Sequence, residues 1–480
     1  MRKRKKENTI AGSLAWKFSE RVLSQGVSFV ISLVLARLLS PDDYGIIALV
    51  LVFINLASVF INSGFSTSLV QKKDADEVDF STIFYCSSVC SIIIYCVIFL
   101  TSPLIASFYE IPELTSVLRV FALQVPLSVY NSIQNAYISK KMIFEKSFAA
   151  TLIATIISGG IGILMALMGC GVWALVAQSM SMVVASTIVL MFMVPWYPCL
   201  KFSWKSARSM MQYGSKILFA DLSGTFFGEV RSLIVGKVYT SADLAYYTKG
   251  QQVPTLITNN LSATIISVLF PAIANISDDI SKVKEFTRRS VQIMSYVMFP
   301  VLFGLAAVME PLVVLVYTDK WRECIPFGQL LCIGLSLGMI GIISLQTLKA
   351  IGRSDVVLGL EIWKKPVYVI LLVIGVKISV LAVAITMVVY EVYGLSINMI
   401  QMNKYVNYKL KEQLKDILPQ LLISTVMAVV VYMIPSFDSL LLTLGLKVSV
   451  GIVVYLLQSV LFKIHAFRIV IDMEKEMMKK

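Results

Sequence analysis

The sequence predicts an all-α integral membrane protein with about fourteen spans and both termini in the cytoplasm. Three observations predict it. First, 57% of the 480 residues are hydrophobic and only 15% are charged, too little polar surface to cover a soluble protein of this size. Second, apolar runs of about twenty residues recur along the whole chain, and each can cross a hydrocarbon core of ~30 Å. Third, cations collect in alternate connecting segments. Strands of a barrel would be shorter and would alternate in polarity, so helices are expected.

The runs lie near 17–38, 44–65, 81–101, 115–137, 148–168, 172–194, 213–236, 243–270, 287–309, 326–348, 356–376, 379–400, 417–434 and 443–462. With the N-terminus inside, the inner segments hold Arg2 to Lys6, Lys140, Lys141, Lys201, Arg208, Lys282, Arg289, Lys349, Arg353, Lys411, Lys463 and their basic neighbours. The outer segments hold Lys237, Lys320, Arg322 and Lys377. This bias puts both ends inside and requires an even number of spans. The net charge of +13 is therefore a topology signal that also suits contact with anionic lipid, and no nucleic-acid partner is expected. Polar residues from Glu7 to Glu20 break any early apolar core, so the basic N-terminus does not read as a cleavable signal peptide.

Catalysis is not expected. The single histidine, His465, lies in the C-terminal tail, which excludes a Ser-His-Asp triad within the membrane and a His-rich metal site. There is no GxxxxGK[ST] run for a nucleotide phosphate. The longest outer segment, around Ser102 to Ser116, gives little external surface for chemistry. The cysteines lack a CxxC pair, and Cys86 with Cys90 reads as packing on one helical face. No metal and no cofactor are expected, and a secondary transporter remains.

An internal echo supports that reading. Arg37-Leu38-Leu39-Ser40-Pro41-Asp42-Asp43-Tyr44-Gly45 returns as Lys237-Val238-Tyr239-Thr240-Ser241-Ala242-Asp243-Leu244-Ala245. In both copies a cation ends an apolar run, a hydroxyl residue and a turn follow, and an Asp opens the next run. Ser102-Pro103-Leu104 with Tyr109 is echoed in the same order by Glu310-Pro311-Leu312 with Tyr317. Two halves running in the same direction predict parallel repeats with a substrate path between them. Arg37, Asp43, Lys237 and Asp243 are the candidate gate residues at the repeat turns.

Polar groups within the spans fall at helical spacing. The first span carries Lys17, Arg21, Ser24, Gln25, Ser28 and Ser32; the seventh carries Asp221, Thr225, Glu229 and Ser232. Asn55, Ser58 and Asn62 line the second, Gln124, Ser128, Asn131 and Asn135 the fourth, and Gln251, Thr255, Thr258, Asn259 and Ser262 the eighth. Such stripes serve either as hydrogen-bonding glue between helices or as the lining of a wet cavity. The ionised residues are too many for glue alone. Lys17, Lys216 and Glu391 can snorkel to the inner surface, and Glu361 with Lys365 is a self-neutralising i,i+4 pair. Arg21, Arg231, Lys249 and Lys364 are the candidates for a cationic, anion-binding cavity. Asp221, Glu229 and Glu361 are the candidates for coupling to Na⁺ or H⁺, or else counter-ions to those cations.

Pro103, Pro126, Pro254, Pro271, Pro300, Pro366 and Pro419 fall within or near spans, and Gly159-Gly160 with Gly162 loosens the fifth; these are hinges or static kinks. Ser277 to Arg289 is expected as a short amphipathic surface helix between the halves. The composition shift at Pro195 to Ser209 is the better domain boundary.

Leu38-Leu39-Ser40-Pro41-Asp42-Asp43-Tyr44-Gly45 followed by Gly64-Phe65-Ser66-Thr67-Ser68-Leu69-Val70-Gln71-Lys72-Lys73-Asp74 resembles the opening of the polysaccharide transporter family. These are the Wzx-type flippases of lipopolysaccharide, exopolysaccharide and teichuronic acid synthesis. Gln134-Asn135-Ala136-Tyr137 with Lys140-Lys141, and Lys349-Ala350-Ile351-Gly352-Arg353, resemble the family's loops after its fourth and tenth spans. The resemblance implies the fold of the multidrug/oligosaccharidyl-lipid/polysaccharide exporters, with two pseudo-symmetric six-helix lobes and two extra helices. Here that means a basic N-terminus at 1–13, an N-lobe at 14–200, a C-lobe at 201–405, helices 13 and 14 within 406–462, and a cytoplasmic tail at 463–480. It also implies a flippase, not an enzyme, in the bacterial cytoplasmic membrane. Its substrate would be undecaprenyl-pyrophosphate-linked oligosaccharide, moved by alternating access and coupled to Na⁺, H⁺ or membrane potential. A polysaccharide polymerase and a chain-length regulator are the implied protein partners. Arg21 and Arg231 are nominated by charge and expected depth, not by a family position. A drug/cation antiporter of the same superfamily and a non-transporting scaffold are the alternative readings.

Overall fold

The computed structural model describes residues 25–469 apart from Lys73, with a few further side chains left out. Among the described residues the ordered structure is helical, with no strand. The chain divides into two compact units, 1–244 and 245–480.

The first unit contains α1 (Gln25–Leu38), α2 (Pro41–Val59), a π-helical segment (Phe60–Ser66), α3 (Thr67–Gln71), α4 (Glu77–Tyr109) and α5 (Leu114–Phe121). It continues with α6 (Gln124–Lys141), α7 (Phe144–Leu167), α8 (Val172–Met193) and α9 (Trp204–Val238). α7 and α8 form a closely packed hairpin, and α9 packs on α2, the π segment and α4. A Cβ on Gly159 would lie 2.2 Å from the Ile31 side chain, so this glycine allows close packing of α1 on α7. α10 (Ser241–Ala274) starts in the first unit and runs into the second.

The second unit adds α11 (Ile280–Ala307), α12 (Met309–Tyr317), a 3₁₀ turn (Asp319–Cys324), α13 (Ile325–Ala350) and α14 (Ser354–Val376). α15 (Val380–Val406), α16 (Leu410–Met433) and α17 (Leu440–Leu461) complete it. α13 packs between α11 and α15, α14 covers α15, and α16 lies against α11 and α17. Tyr455 of α17 donates to the Tyr296 carbonyl of α11 at 2.7 Å, and Tyr296 donates to Ser459 at 3.1 Å. Each hydroxyl thus finds a partner within an otherwise apolar cluster that includes Met427 and Val431.

Among the described residues ten helices are long and apolar enough to cross a membrane: α2, α4, α7, α8, α10, α11, α13, α15, α16 and α17. Their outward faces are apolar; Phe192 is 87% exposed and Leu100 73%. A surface of this kind is buried by lipid. The other four expected spans are the short α1, the broken α5–α6 pair, the polar α9, and α14, which is apolar but carries Glu361, Lys364 and Lys365. The break at α5–α6 precedes Pro126, which sits in the first turn of α6, where a missing N–H is tolerated.

Two expectations are corrected. The stretch 277–289 is not a separate surface helix. Asp279 caps Ser281 and Lys282, and α11 then runs unbroken through Pro300 with Val283 buried. The second span does not end as a regular helix but passes into the π segment. Pro103, Pro254, Pro271, Pro300, Pro366 and Pro419 all lie inside continuous helices.

Candidate functional site: a charged cavity in the second unit

The eighth-span stripe, placed on one face by its spacing, reaches a cavity of about 280 Å³ within the second unit. Thr258, Asn259 and Ser262 of α10 line it, with Lys364 of α14 and Glu391 and Asn398 of α15. Lys364 is 5% exposed. Its Nζ donates to Asn398 Oδ1 at 3.0 Å, and Glu361 Oε1 stands 3.7 Å away. Asn398 is itself tied to the Gly341 carbonyl at 3.4 Å. Glu391 approaches α13 so closely that a Cβ on Gly338 would lie 2.8 Å from its Oε2. The cavity thus brings one ammonium and one carboxylate together with hydroxyl and amide groups. That set can grip an anion through the lysine and orient its oxygens through neutral donors.

The structure places Glu361 beside Lys364, at 3.7 Å, rather than in the pair with Lys365 that the spacing suggests. It moves Glu391 from an expected snorkelling position to the cavity wall. Lys365 is half-buried beside them. Tyr390 and Asn398 were missed. Their signal was available: Glu391, Gly394 and Asn398 share one face of α15 by their spacing.

Lys249 lies elsewhere in the second unit. It is 7% exposed, with Nζ 5.3 Å from the Tyr317 ring centre and 5.6 Å from that of Trp321. It also donates to Gln252 Oε1 at 3.2 Å. The two rings supply the negative faces that a buried ammonium needs.

In the first unit, Glu229 of α9 accepts from Asn55 of α2 at 2.9 Å. Arg231 is 8% exposed and Asp221 is exposed. The second- and fourth-span stripes meet as glue: Ser132 donates to Asn62 at 2.9 Å and lies 2.6 Å from Ser66. Lys17, Glu20 and Arg21 fall outside the described residues, as does the Lys216 side chain.

The repeat turns are reciprocal helix caps. Asp43 accepts from Ser40 N at 2.9 Å and from Ser40 Oγ at 2.6 Å, while Asp43 N donates back to Ser40 Oγ at 3.2 Å. Asp243 and Thr240 repeat the arrangement at 3.1, 2.7 and 3.1 Å. The Asp that opens each apolar run is therefore the third residue of a capping box. Arg37 is exposed at the end of α1. Lys237 pairs with Glu110 at 2.9 Å and stands 5.0 Å from the Phe108 ring centre. The ammonium holds the exposed Glu110 carboxyl below its ordinary range. Among the described residues no group of acidic, His or Cys side chains has the grouping of a metal site.

Comparison with known proteins agrees with this architecture. The succinoglycan biosynthesis transport protein ExoT of Rhizobium meliloti (strain 1021) is 21% identical over 350 residues, 72% of this chain and 70% of the relative. The lipopolysaccharide biosynthesis protein WzxC of Escherichia coli (strain K12) is 24% identical over 376 residues, 77% of this chain and 75% of the relative. Among solved structures, the lipid II flippase MurJ in an inward-closed conformation superposes with a TM-score of 0.73 at 16% identity, covering 94% of this chain and 98% of MurJ. An inward-facing multidrug resistance MATE family transporter of the MOP superfamily gives 0.61 at 14% identity, covering 80% and 98%. These likenesses establish a shared helical fold. The profile described as "Polysaccharide biosynthesis protein" matches residues 34–326. This multi-pass membrane protein belongs to the polysaccharide biosynthesis protein family.

Proposed function

We propose that the chain is a flippase of the bacterial cytoplasmic membrane that moves polyprenyl-pyrophosphate-linked oligosaccharide units outward for polysaccharide synthesis. The observation that carries the reading is the buried Lys364 on a polar cavity in a chain of this family. The names of its relatives, a succinoglycan transport protein and a lipopolysaccharide biosynthesis protein, support the substrate class. Lys364 is the proposed grip on phosphate. Arg21 and Arg231 are further cations along the path, and Lys249 is a supporting one held under its rings. Glu361, Glu229 and Asp221 are the proposed coupling carboxylates. The proposal includes fourteen spans, lobes at 14–200 and 201–405, two additional helices, and cytoplasmic termini.

The proposed cycle is alternating access by a transporter without an enzymatic step. The head group passes through the protein while the polyprenyl tail stays in lipid. An inside-negative potential favours outward movement of an anion by about 2.3 kcal/mol per charge per 100 mV. Return of Na⁺ or H⁺ resets the empty carrier. A polysaccharide polymerase and a chain-length regulator are its proposed partners.

The test is complementation of a bacterium lacking its own polysaccharide flippase. Wild type should restore surface glycan and clear the accumulated lipid-linked intermediate, while well-expressed Lys364→Met should not. Wild type that leaves the intermediate accumulated in several flippase-deficient hosts, yet confers resistance to cationic dyes, would replace this reading with a drug/cation antiporter.

A further inference from the structure

Within the first unit, α9 is exposed on two opposite faces that differ in chemistry. Its 35 residues run about 52 Å at a rise of about 1.5 Å each, so Asp221 lies at the middle of the helix. At about 3.6 residues per turn, Asp221, Gly224, Thr225, Gly228 and Ser232 fall in one strip, and Phe219 and Phe226 fall on the far side. Phe219 is 70% exposed and Phe226 46%, an apolar face suited to lipid. Asp221, Gly224 and Gly228 are exposed as well. No hydrogen bond or ion pair ties Asp221 to another described residue. A carboxylate at the middle of a span is costly against hydrocarbon, so this second face meets water.

The strip continues onto α2. Glu229, at its edge, accepts from Asn55 at 2.9 Å, and Asn55 is itself exposed. The π segment that follows α2 also packs on α9, and it carries the exposed Asn62. Such π-helical turns are frequent at functional sites. The two exposed glycines add room rather than contact. A Cβ on Gly224 or Gly228 would meet no atom within 4 Å, whereas one on Gly236 of the same helix would stand 2.4 Å from Leu49 Cδ2. Gly236 is thus a packing glycine. Gly224 and Gly228 weaken the helix without bringing a neighbour closer, so packing does not account for them. Arg231 is buried beside the strip, not on it. Among its described residues the face therefore offers carboxylate, amide and hydroxyl groups and open space, but no exposed cation.

We propose that this face receives the saccharide of the transported unit and sets how bulky that saccharide can be. The inference rests on the flippase reading and adds the residues that decide which glycan passes. A pyrophosphate needs cations, which this face lacks. Sugar hydroxyls instead donate to the carboxylates and exchange hydrogen bonds with the Asn55 amide. Gly224 and Gly228 let a sugar ring lie close to the helix, where a larger side chain would hold it off. On the outward stroke Asp221 and Glu229 meet sugar hydroxyls, and on the return stroke they are free for the coupling cation.

The experiment uses the full chain in proteoliposomes with two fluorescent polyprenyl-pyrophosphate substrates. One carries a single N-acetylglucosamine and the other a branched hexasaccharide. Gly224→Leu and Gly228→Leu should slow flipping of the hexasaccharide at least about tenfold and of the monosaccharide less than about threefold, because a bulky side chain clashes with the larger ligand alone. Their unfolding midpoints should not fall, since leucine favours a helix more than glycine and meets open space here. Gly228→Ser, small and polar, should move both substrates as wild type does. Equal slowing of both substrates, or wild-type transport of the hexasaccharide by the folded leucine variants, overturns the proposal and leaves the flippase reading intact. Loss of fold in both leucine variants also overturns it, since the space beside α9 would then not be open. A wild-type protein that flips neither substrate overturns the flippase reading and this inference with it.

Discussion

Gly45 of α2 lies against the backbone of Ser241 at the start of α10, so closely that a Cβ on Gly45 would stand 1.9 Å from the Ser241 carbonyl oxygen. The two echoed turns, each closed by its own capping box, are therefore in direct contact within the first unit. Gly45→Ala should force them apart. The backbone cannot rotate away as a flexible side chain would, so a cost of about 1–3 kcal/mol is expected. The checks are a lowered unfolding midpoint in detergent and reduced complementation at normal expression. A midpoint and activity matching wild type would show that the turns need not touch.

The ion pair between Lys237 and Glu110 predicts a pH effect of defined sign. Glu110 has its pKa lowered from 4.5, first by the hydrogen bond from Lys237 and then by its charge. A carboxylate with a depressed folded-state pKa stabilises above its unfolded value, and loses that contribution as pH falls through the folded value. Lys237→Met should therefore destabilise slightly near neutrality and less in strong acid, where only the contact with the Phe108 ring is lost. Glu110 is fully exposed, so the effect is small and screened by salt. Unfolding midpoints of both proteins across pH test this; a difference that grows in acid would contradict it.

The capping boxes also show why parts of the protein could be read from sequence. Ser40 with Asp43 and Thr240 with Asp243 act locally, through atoms three residues apart, so spacing alone reveals them. The family-like segments behave similarly. Lys140 holds the carbonyls of Lys72 and Ala75, and Gly352 takes a φ of +78° in the turn before Arg353. Apolar length likewise revealed most spans. Burial partners of charges were not legible, because they depend on which helices meet. The rings that face Lys249 belong to Tyr317 and Trp321, distant in sequence, so no local pattern announces them. Nothing local in the sequence ties Glu391 to Gly338, so its place against α13 is not legible from spacing. Asp416 went unread for the same reason.

Asp416 is the most heavily partnered of these. It accepts from Arg288 at 2.5 and 3.0 Å, from Gln292 at 2.6 Å and from Tyr408 at 2.8 Å. The carboxylate is buried and the guanidinium partly exposed, so the cluster ties α16 to the basic start of α11. Asp416→Ala leaves three donors without an acceptor and should cost about 2–4 kcal/mol. Lys284→Ala, which removes only the more exposed pair with Glu412, should cost under about 1 kcal/mol. Thermal unfolding in detergent ranks the two, and equal shifts would mean the Asp416 cluster is not a tether.

Lys364 and Lys249 are both buried lysines, and their surroundings predict different outcomes when each is replaced by methionine. Lys364 lines an open cavity, where its ammonium can reach a ligand. Lys364→Met should reduce flipping by about tenfold or more, the effect of losing a charge-assisted contact to phosphate. Lys364→Arg should recover part of that loss, since the guanidinium keeps the charge with a different shape. Lys249 faces two aromatic rings, and methionine fills similar volume with a sulfur that rings also accommodate. Replacing a buried charge with a packed apolar group is often neutral, so Lys249→Met should fold normally and lose no more than about threefold in flipping. Surface glycan and lipid-linked intermediate, normalised to protein in the membrane, separate the two. Equal loss in both variants would mean that the rings release Lys249 during the cycle and that it, too, meets the substrate.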